Sequence, residues 1–114
     1  MATFQEKQLG QLRENSTNPA SVYSPGSNVT GIIKTIVIAN TSGAGATFRL
    51  FMDDDGTTYD ESTSIAWDIA IAADTQIIME AFFPMNNSAG NFAYRTNVAN
   101  ALTVTLFGAE VNIS

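Results

Sequence analysis

Groups able to do chemistry are concentrated in one stretch of this sequence, Asp53-Asp54-Asp55-Gly56-Thr57-Thr58-Tyr59-Asp60-Glu61. Consecutive carboxylates beside a glycine offer the hard oxygen donors that Ca²⁺ takes, which makes Asp53, Asp54 and Asp55 the candidate metal set. The spacing argues against it. A helix-loop-helix calcium loop places its acids at alternate positions and closes on a distal glutamate, and neither holds here. Glycoside hydrolysis would need two acids facing each other across a fixed gap, and the candidate pairs are Asp60 with Glu61 and Asp54 with Asp68. Acids at turns and on outward strand positions are normally solvated, and no cleft is implied. The chain has neither histidine nor cysteine, so the usual nucleophile–base pairs, imidazole proton shuttles and thiolate zinc sites are excluded. The expectation is a protein that is not an enzyme, with no catalytic residue, no cofactor and no resident metal.

A structural use of the same stretch fits better. Asp54, Gly56, Thr58 and Tyr59 form a D-x-G-x-T-aromatic pattern that resembles the Asp-box at hairpin turns of many β-proteins, with Met52 standing where a small hydroxyl residue is often found. In that role the Asp and Thr side chains bond to turn backbone, Gly56 takes a positive φ, and Tyr59 anchors the turn on the sheet. Trp67, Tyr59 and Tyr94 could together make a sugar-stacking platform. Trp67 falls in the inward phase of its strand, however, which predicts core packing instead.

The net charge is −6, and Lys7, Arg13, Lys34, Arg49 and Arg95 are scattered along the chain. Phosphate neutralisation needs a basic patch, so neither nucleic acid nor an anionic membrane surface is an expected partner. No run approaches the roughly 20 apolar residues of a membrane span, and the opening residues lack a secretory apolar segment. A cytosolic origin, or release from a cytosol by lysis, is expected. The sequons at Asn15, Asn28, Asn40, Asn86 and Asn112 therefore carry little weight.

The elements that must position these groups read as strands. Ile32, Ile33, Ile36, Val37 and Ile38 are β-branched and suited to a pleated surface. Residues 31–39 depart from simple apolar–polar alternation, with Ile33, Val37 and Ala39 on one face and Ile32, Ile36 and Ile38, with Lys34, on the other, so both faces read as buried. The second face is then surplus to the domain's own core, which marks Ile32, Ile36 and Ile38 as a subunit interface. Phe48, Leu50 and Met52 are the core positions of the next strand. Ile65, Trp67, Ile69 and Ile71 alternate cleanly after it. Ile77, Met79 and Ala81 follow on one face of a strand that Pro84 ends, then Phe92, Tyr94 and Thr96, then Leu102, Val104 and Leu106. Val22 and Tyr23 suit a short edge strand between Pro19 and Pro25. The first residues are polar apart from Phe4, Leu9 and Leu12, and suit either a short helical turn or an arm that orders on a partner. About seven to eight strands with no convincing helix predict an all-β antiparallel sandwich or jelly roll over residues 20–114, with an extended N-terminal arm over 1–19.

The run from Val22 to Ser62, with IAWDIAIAADT (65–75), NNSAGN (86–91) and LTVTLFGAE (102–110), resembles small β-sandwich virion structural proteins of tailed bacteriophages. The resemblance covers about Leu9 to Val111 and is closest to capsid decoration, or cement, proteins. It implies a non-enzymatic virion component, assembled in the host bacterial cytoplasm, that binds the major capsid protein lattice from outside as a homotrimer. It further implies that the arm, with Phe4, Leu9 and Leu12, docks on the shell. The alternative is a tail-fibre or receptor-binding module that recognises glycans.

Overall fold

Runs of β-branched and aromatic residues, cut by turns rich in Gly, Asn, Asp and Ser, fold into eight strands. The computed structural model describes residues 2–113; Met1, the first residue of the expected arm, and Ser114, the last of the expected domain, lie outside them. The strands are β1 (Ala2–Arg13), β2 (Ala20–Tyr23), β3 (Val29–Asn40), β4 (Ala46–Asp53), β5 (Ser64–Ile71), β6 (Gln76–Met85), β7 (Asn91–Thr96) and β8 (Leu102–Ile113). They form two four-stranded sheets, ordered β1-β8-β3-β6 and β2-β7-β4-β5. Every pairing is antiparallel. Two interleaved Greek keys of this kind are an eight-stranded jelly roll. The fold class is all-β, as the sequence predicts.

The core lies between the sheets. β3 and β8 contribute Ile33, Ile36, Ile38, Leu102, Val104 and Leu106, and the facing sheet contributes Phe48, Leu50, Phe92 and Tyr94, all essentially free of solvent contact. Each such side chain contributes roughly 1.5–3 kcal/mol on burial. At one end the ladders of the β1-β8-β3-β6 sheet are extended into its turns by Asn40 N–H to Thr75 O, Thr41 N–H to Ala101 O and Asn100 N–H to Glu14 O. At the other end Ser24 Oγ donates to Gly90 O, and Asn91 Nδ2 donates to Gly56 O. The acidic turn sits at this second end.

Three sequence expectations are corrected by register. First, β3 does not keep one inward phase along its length. Both of its pairings shift between Ile33 and Thr35: Lys34 is an extra residue of β3 against β8, a β-bulge, whereas against β6 two residues, Ala81 and Phe82, stand opposite it. A bulge advances the strand's phase by one residue. Gly31 and Ile33 face inward before it, and Ile36, Ile38 and Asn40 after it. Ile36 and Ile38 are therefore core residues, unavailable as a subunit interface, and Ile32 alone of that trio lies on the outer face.

Second, residues 2–13 are not a free arm. β1 pairs along its whole length with β8, from Ala2 opposite Ile113 to Arg13 opposite Thr103. Leu9 and Leu12 pack against the core, while Phe4 stays 60% exposed. The boundary expected at residue 19 does not separate an arm from the domain. Third, β5 slips twice against β4, between Phe48 and Leu50 and between Leu50 and Phe51, and Asp68 adopts φ 52°. Of the alternating Ile65, Trp67, Ile69 and Ile71, only Ile71 is buried. Pro84 does not end β6, which continues to Met85. A proline is tolerated there because β6 is an edge strand.

Candidate functional site

At the acidic turn the residue that closes the loop is Asp53, not Asp54. Asp53, at the end of β4, is only 7% exposed. Its Oδ2 accepts from the Thr58 backbone N–H at 2.8 Å and its Oδ1 from that of Asp55 at 3.2 Å. These bonds, first that from Thr58, hold the Asp53 carboxyl below the ordinary aspartate range. Its hydrogen bond and charge push the neighbouring Asp55 the other way. Asp54 is exposed, and no glycine among the described residues has a positive φ, so Gly56 does not play the part expected of it. Gly56 instead gives room: a Cβ there would stand 3.2 Å from Asp53 Oδ2. Both oxygens of Asp53 accept backbone donors, so Asp53 serves to close the turn. Among the described residues no three acids converge on a common point.

Tyr59 lies over the sheet with its ring 6.0 Å from that of Phe51. Phe51 meets Trp67 edge-on at 6.2 Å. Trp67 points outward, 38% exposed. The Arg49 guanidinium stacks 3.7 Å over its ring and is gripped by both carboxylate oxygens of Asp68, at 2.6 and 3.1 Å. The Arg49 contact pulls the Asp68 carboxyl below its ordinary range. Tyr94 is remote from this cluster in character. It is fully buried, its hydroxyl accepting from Glu14 N–H and donating toward Leu102 O and Leu12 O. The three aromatics of the imagined sugar platform are thus not brought together.

The most distinctive surface is the outer face of the sheet β1-β8-β3-β6. Cross-strand register places Phe4 opposite Val111, Phe107 opposite Thr35 and Ile78 opposite Val37 on that face. Phe82 and Ile78, on β6, are 68% and 63% exposed; Phe4, Phe107 and Ile113 are exposed with them. Among the charges here Lys34, in the bulge, reaches Glu6 at 3.4 Å and lies 5.6 Å from the Phe4 ring. Soluble domains rarely leave several large apolar side chains on one sheet face without a partner. The sequence pointed to a surplus apolar surface on β3, and the bulge moves it to β6, β8 and β1. The signal that could have found it is the even-numbered set Ile78, Glu80, Phe82, which is apolar on both sides of a single charge while Ile77, Met79 and Ala81 fill the other face.

On the inner side of the same sheet, Glu110 accepts from Tyr23 Oη at 2.8 Å and Lys7 Nζ at 3.0 Å. Burial pushes the Glu110 carboxyl up, but these donors outweigh it and its net displacement is downward. Gly31 lies beneath the Tyr23 ring, where a Cβ would collide with the hydroxyl. This cluster fastens the sandwich and leaves no group free for chemistry.

No known family and no curated protein matches the sequence. Solved structures do match the fold. A chain of the T13 IBDV viral particle superposes on 98% of this chain with a TM-score of 0.58 at 10% identity, and one from infectious bursal disease virus Gx strain on 97% with a TM-score of 0.51 at 11% identity. In each case this chain spans 31% of the neighbour's length. The coat protein of Tobacco streak virus aligns over 97% of this chain and 84% of its own at 6% identity, with a TM-score of 0.48, a superposition too loose to bear on the fold. The first two share a β-sandwich arrangement with this chain.

Proposed function

We propose that this chain is a non-enzymatic structural protein of a virion, a decoration protein that binds the outside of a tailed-bacteriophage head. One observation carries the reading: the outer sheet face bearing Phe4, Phe107, Ile113, Ile78 and Phe82 asks for a partner, while the carboxyls displaced from their ordinary values are accounted for by turn or structural contacts. The fold it shares with chains of an icosahedral virus supports the reading. Assembly takes place in the host bacterial cytoplasm, and the finished protein resides in the virion.

Copies gather as a homotrimer on the major capsid protein lattice, where several weak contacts acting together give avidity. Docking does not use a flexible arm, because β1 is fixed to β8. The shell contact is the β1–β8 part of the outer face, with Phe4 on the edge strand and Phe107 on the neighbouring strand, opposite Gln8. Co-sedimentation with purified capsids tests this: wild type binds, and Phe4→Asp with Phe107→Asp does not. Failure of the wild type to bind, or undiminished binding by the double variant, would refute it.

A second reading keeps one specific observation in its favour, the outward Trp67 with Arg49 and Asp68. A tail-fibre module that recognises glycans would use that cluster without Tyr94. It predicts glycan-array signals abolished by Trp67→Ala, and a blank array alongside capsid binding disposes of it.

A further inference from the structure

The side of the sandwich where β5 and β6 run as free edges of their sheets is apolar along its length. Ile65 and Ile69 of β5 are exposed there, and Ile77, Met79, Ala81 and Phe83 of β6 are only half-buried. Between them opens a cavity of about 90 Å³, lined by Ile36, Leu50, Ile65, Met79 and Phe83 among others, with Glu80 its one charged residue. A few residues away on the same strand stands Phe82, the most exposed large apolar side chain described. Phe82 projects from the outer face and the cavity opens on the inner one, because successive strand residues point to opposite faces. One copy cannot fill its own hole with its own knob.

We propose that this side receives a second copy of the same chain, with Phe82 of one copy seated in the β5–β6 cavity of the next. Charge favours a copy over a basic partner. The chain carries −6, yet β5 and β6 hold two acids, Asp68, which Arg49 neutralises, and Glu80. Two acidic chains can therefore meet here without bringing their acidic turns together. Lys34 lies on the adjoining strand, next to Thr35, which is opposite Glu80; in the contact it exchanges its exposed pairing with Glu6 at 3.4 Å for a neighbour's Glu80. Size agrees as well. A ten-residue strand about 33 Å long, with sheets about 10 Å apart and a similar width of outer flank, presents on the order of 600 Å². A standard interface uses about 800 Å² per partner and small ones about 600 Å². Knob and hole on different faces let each copy engage two different neighbours, a heterologous contact, which closes into a ring when the rotation between copies closes; a three-membered ring is the closure that the homotrimer reading requires. The inference rests on the reading that copies of this chain gather on a particle, and it names the surface they use.

Sedimentation and light scattering of the full chain, from micromolar to near-millimolar concentration, test it. The wild type self-associates into a closed oligomer. Phe82→Ser and Ile65→Lys each weaken association on the order of 30-fold or more, as loss of an anchor at an interface centre does, whereas Phe82→Leu retains most of it. Both changed residues are exposed, and thermal melts matching wild type show that the fold is kept; Ile65→Thr replaces Ile65→Lys if that variant does not fold. Mixing Phe82→Ser with Ile65→Lys restores a one-to-one pair, since the first keeps its hole and the second its knob. A wild type that stays monomeric throughout overturns the proposal, as do variants that associate like wild type. If the monomeric wild type instead has Phe82 protected only when bound to capsids, the occupant is the shell and the second copy is rejected. Variants that associate normally and still decorate capsids sink this contact alone; a chain that associates but never binds capsids sinks the virion reading alone.

Discussion

Replacing Tyr94 by Phe removes a single oxygen and leaves the ring, so no cavity forms, and the cost can be worked from the hydroxyl's partners. That oxygen accepts the Glu14 N–H at 2.8 Å and donates toward Leu102 O at 3.0 Å, with Leu12 O at 3.2 Å. It is the clasp that holds the end of β1 onto β7 and β8. A net hydrogen bond contributes about 1 kcal/mol, and a buried group left unpaired costs about 1–3 kcal/mol. Glu14 is half-buried, so water recovers part of its loss, while Leu102 is fully buried and recovers little. The expected destabilisation is about 2–3 kcal/mol, or a fall in melting temperature of roughly 10 °C for a domain of this size. Urea unfolding monitored by Trp67 fluorescence measures it, and hydrogen exchange should show the β1 amides losing protection before those of β3. A loss below about 0.5 kcal/mol, the lower end of the net contribution of even one such bond, with β1 protection unchanged, would refute the claim that β1 is clasped into the domain.

Other expectations concern the turn and the surface. Deleting residues 2–13 should yield an aggregating or unfolded chain rather than a folded domain without its docking arm, because it uncovers β8 and the packing sites of Leu9 and Leu12; a monomeric, cooperatively melting truncation would contradict this. Asp53→Ala should destabilise the fold, and Asp53→Asn should do so less, since the amide keeps one acceptor. The Asp53 carboxyl is held low in the folded state, so its stabilisation is complete above the ordinary aspartate value and is lost as pH falls through the lower folded value. NMR titration should accordingly find Asp55 protonating before Asp53, and the reverse order would defeat the assignment. Arg49→Ala should leave Trp67 uncovered, with faster acrylamide quenching of its fluorescence, while Arg49→Lys should give only partial protection because an ammonium lacks the planar stack.

Much of the fold was legible because apolar alternation and turn residues act locally. The inward sets Leu102, Val104 and Leu106, and Phe48 with Leu50, were readable for that reason. β1 was not, since ATFQEKQLGQLR is polar at most positions, and its partner lies about a hundred residues away in β8, so no local pattern announces the pairing. The bulges were hidden for a different reason. Ile32, Ile33 and Ile36 read equally well as a two-faced strand, and the extra residue at Lys34 is set by register with β8. That one residue moved Ile36 and Ile38 from a supposed interface to the core. At the acidic turn, composition located the loop, but which of three consecutive aspartates points inward depended on where β4 stopped pairing. Trp67 was misplaced by the same kind of slip, at the junction with Asp68.

Cryo-electron microscopy of particles from the virus that encodes this chain tests the central claim most directly. The account predicts clusters of three jelly-roll densities on the outside of the head, with the β1–β8 end of the outer sheet face against the shell and β5–β6 sides meeting between copies. Heads that carry no such density, or density for this domain confined to the tail, would contradict it.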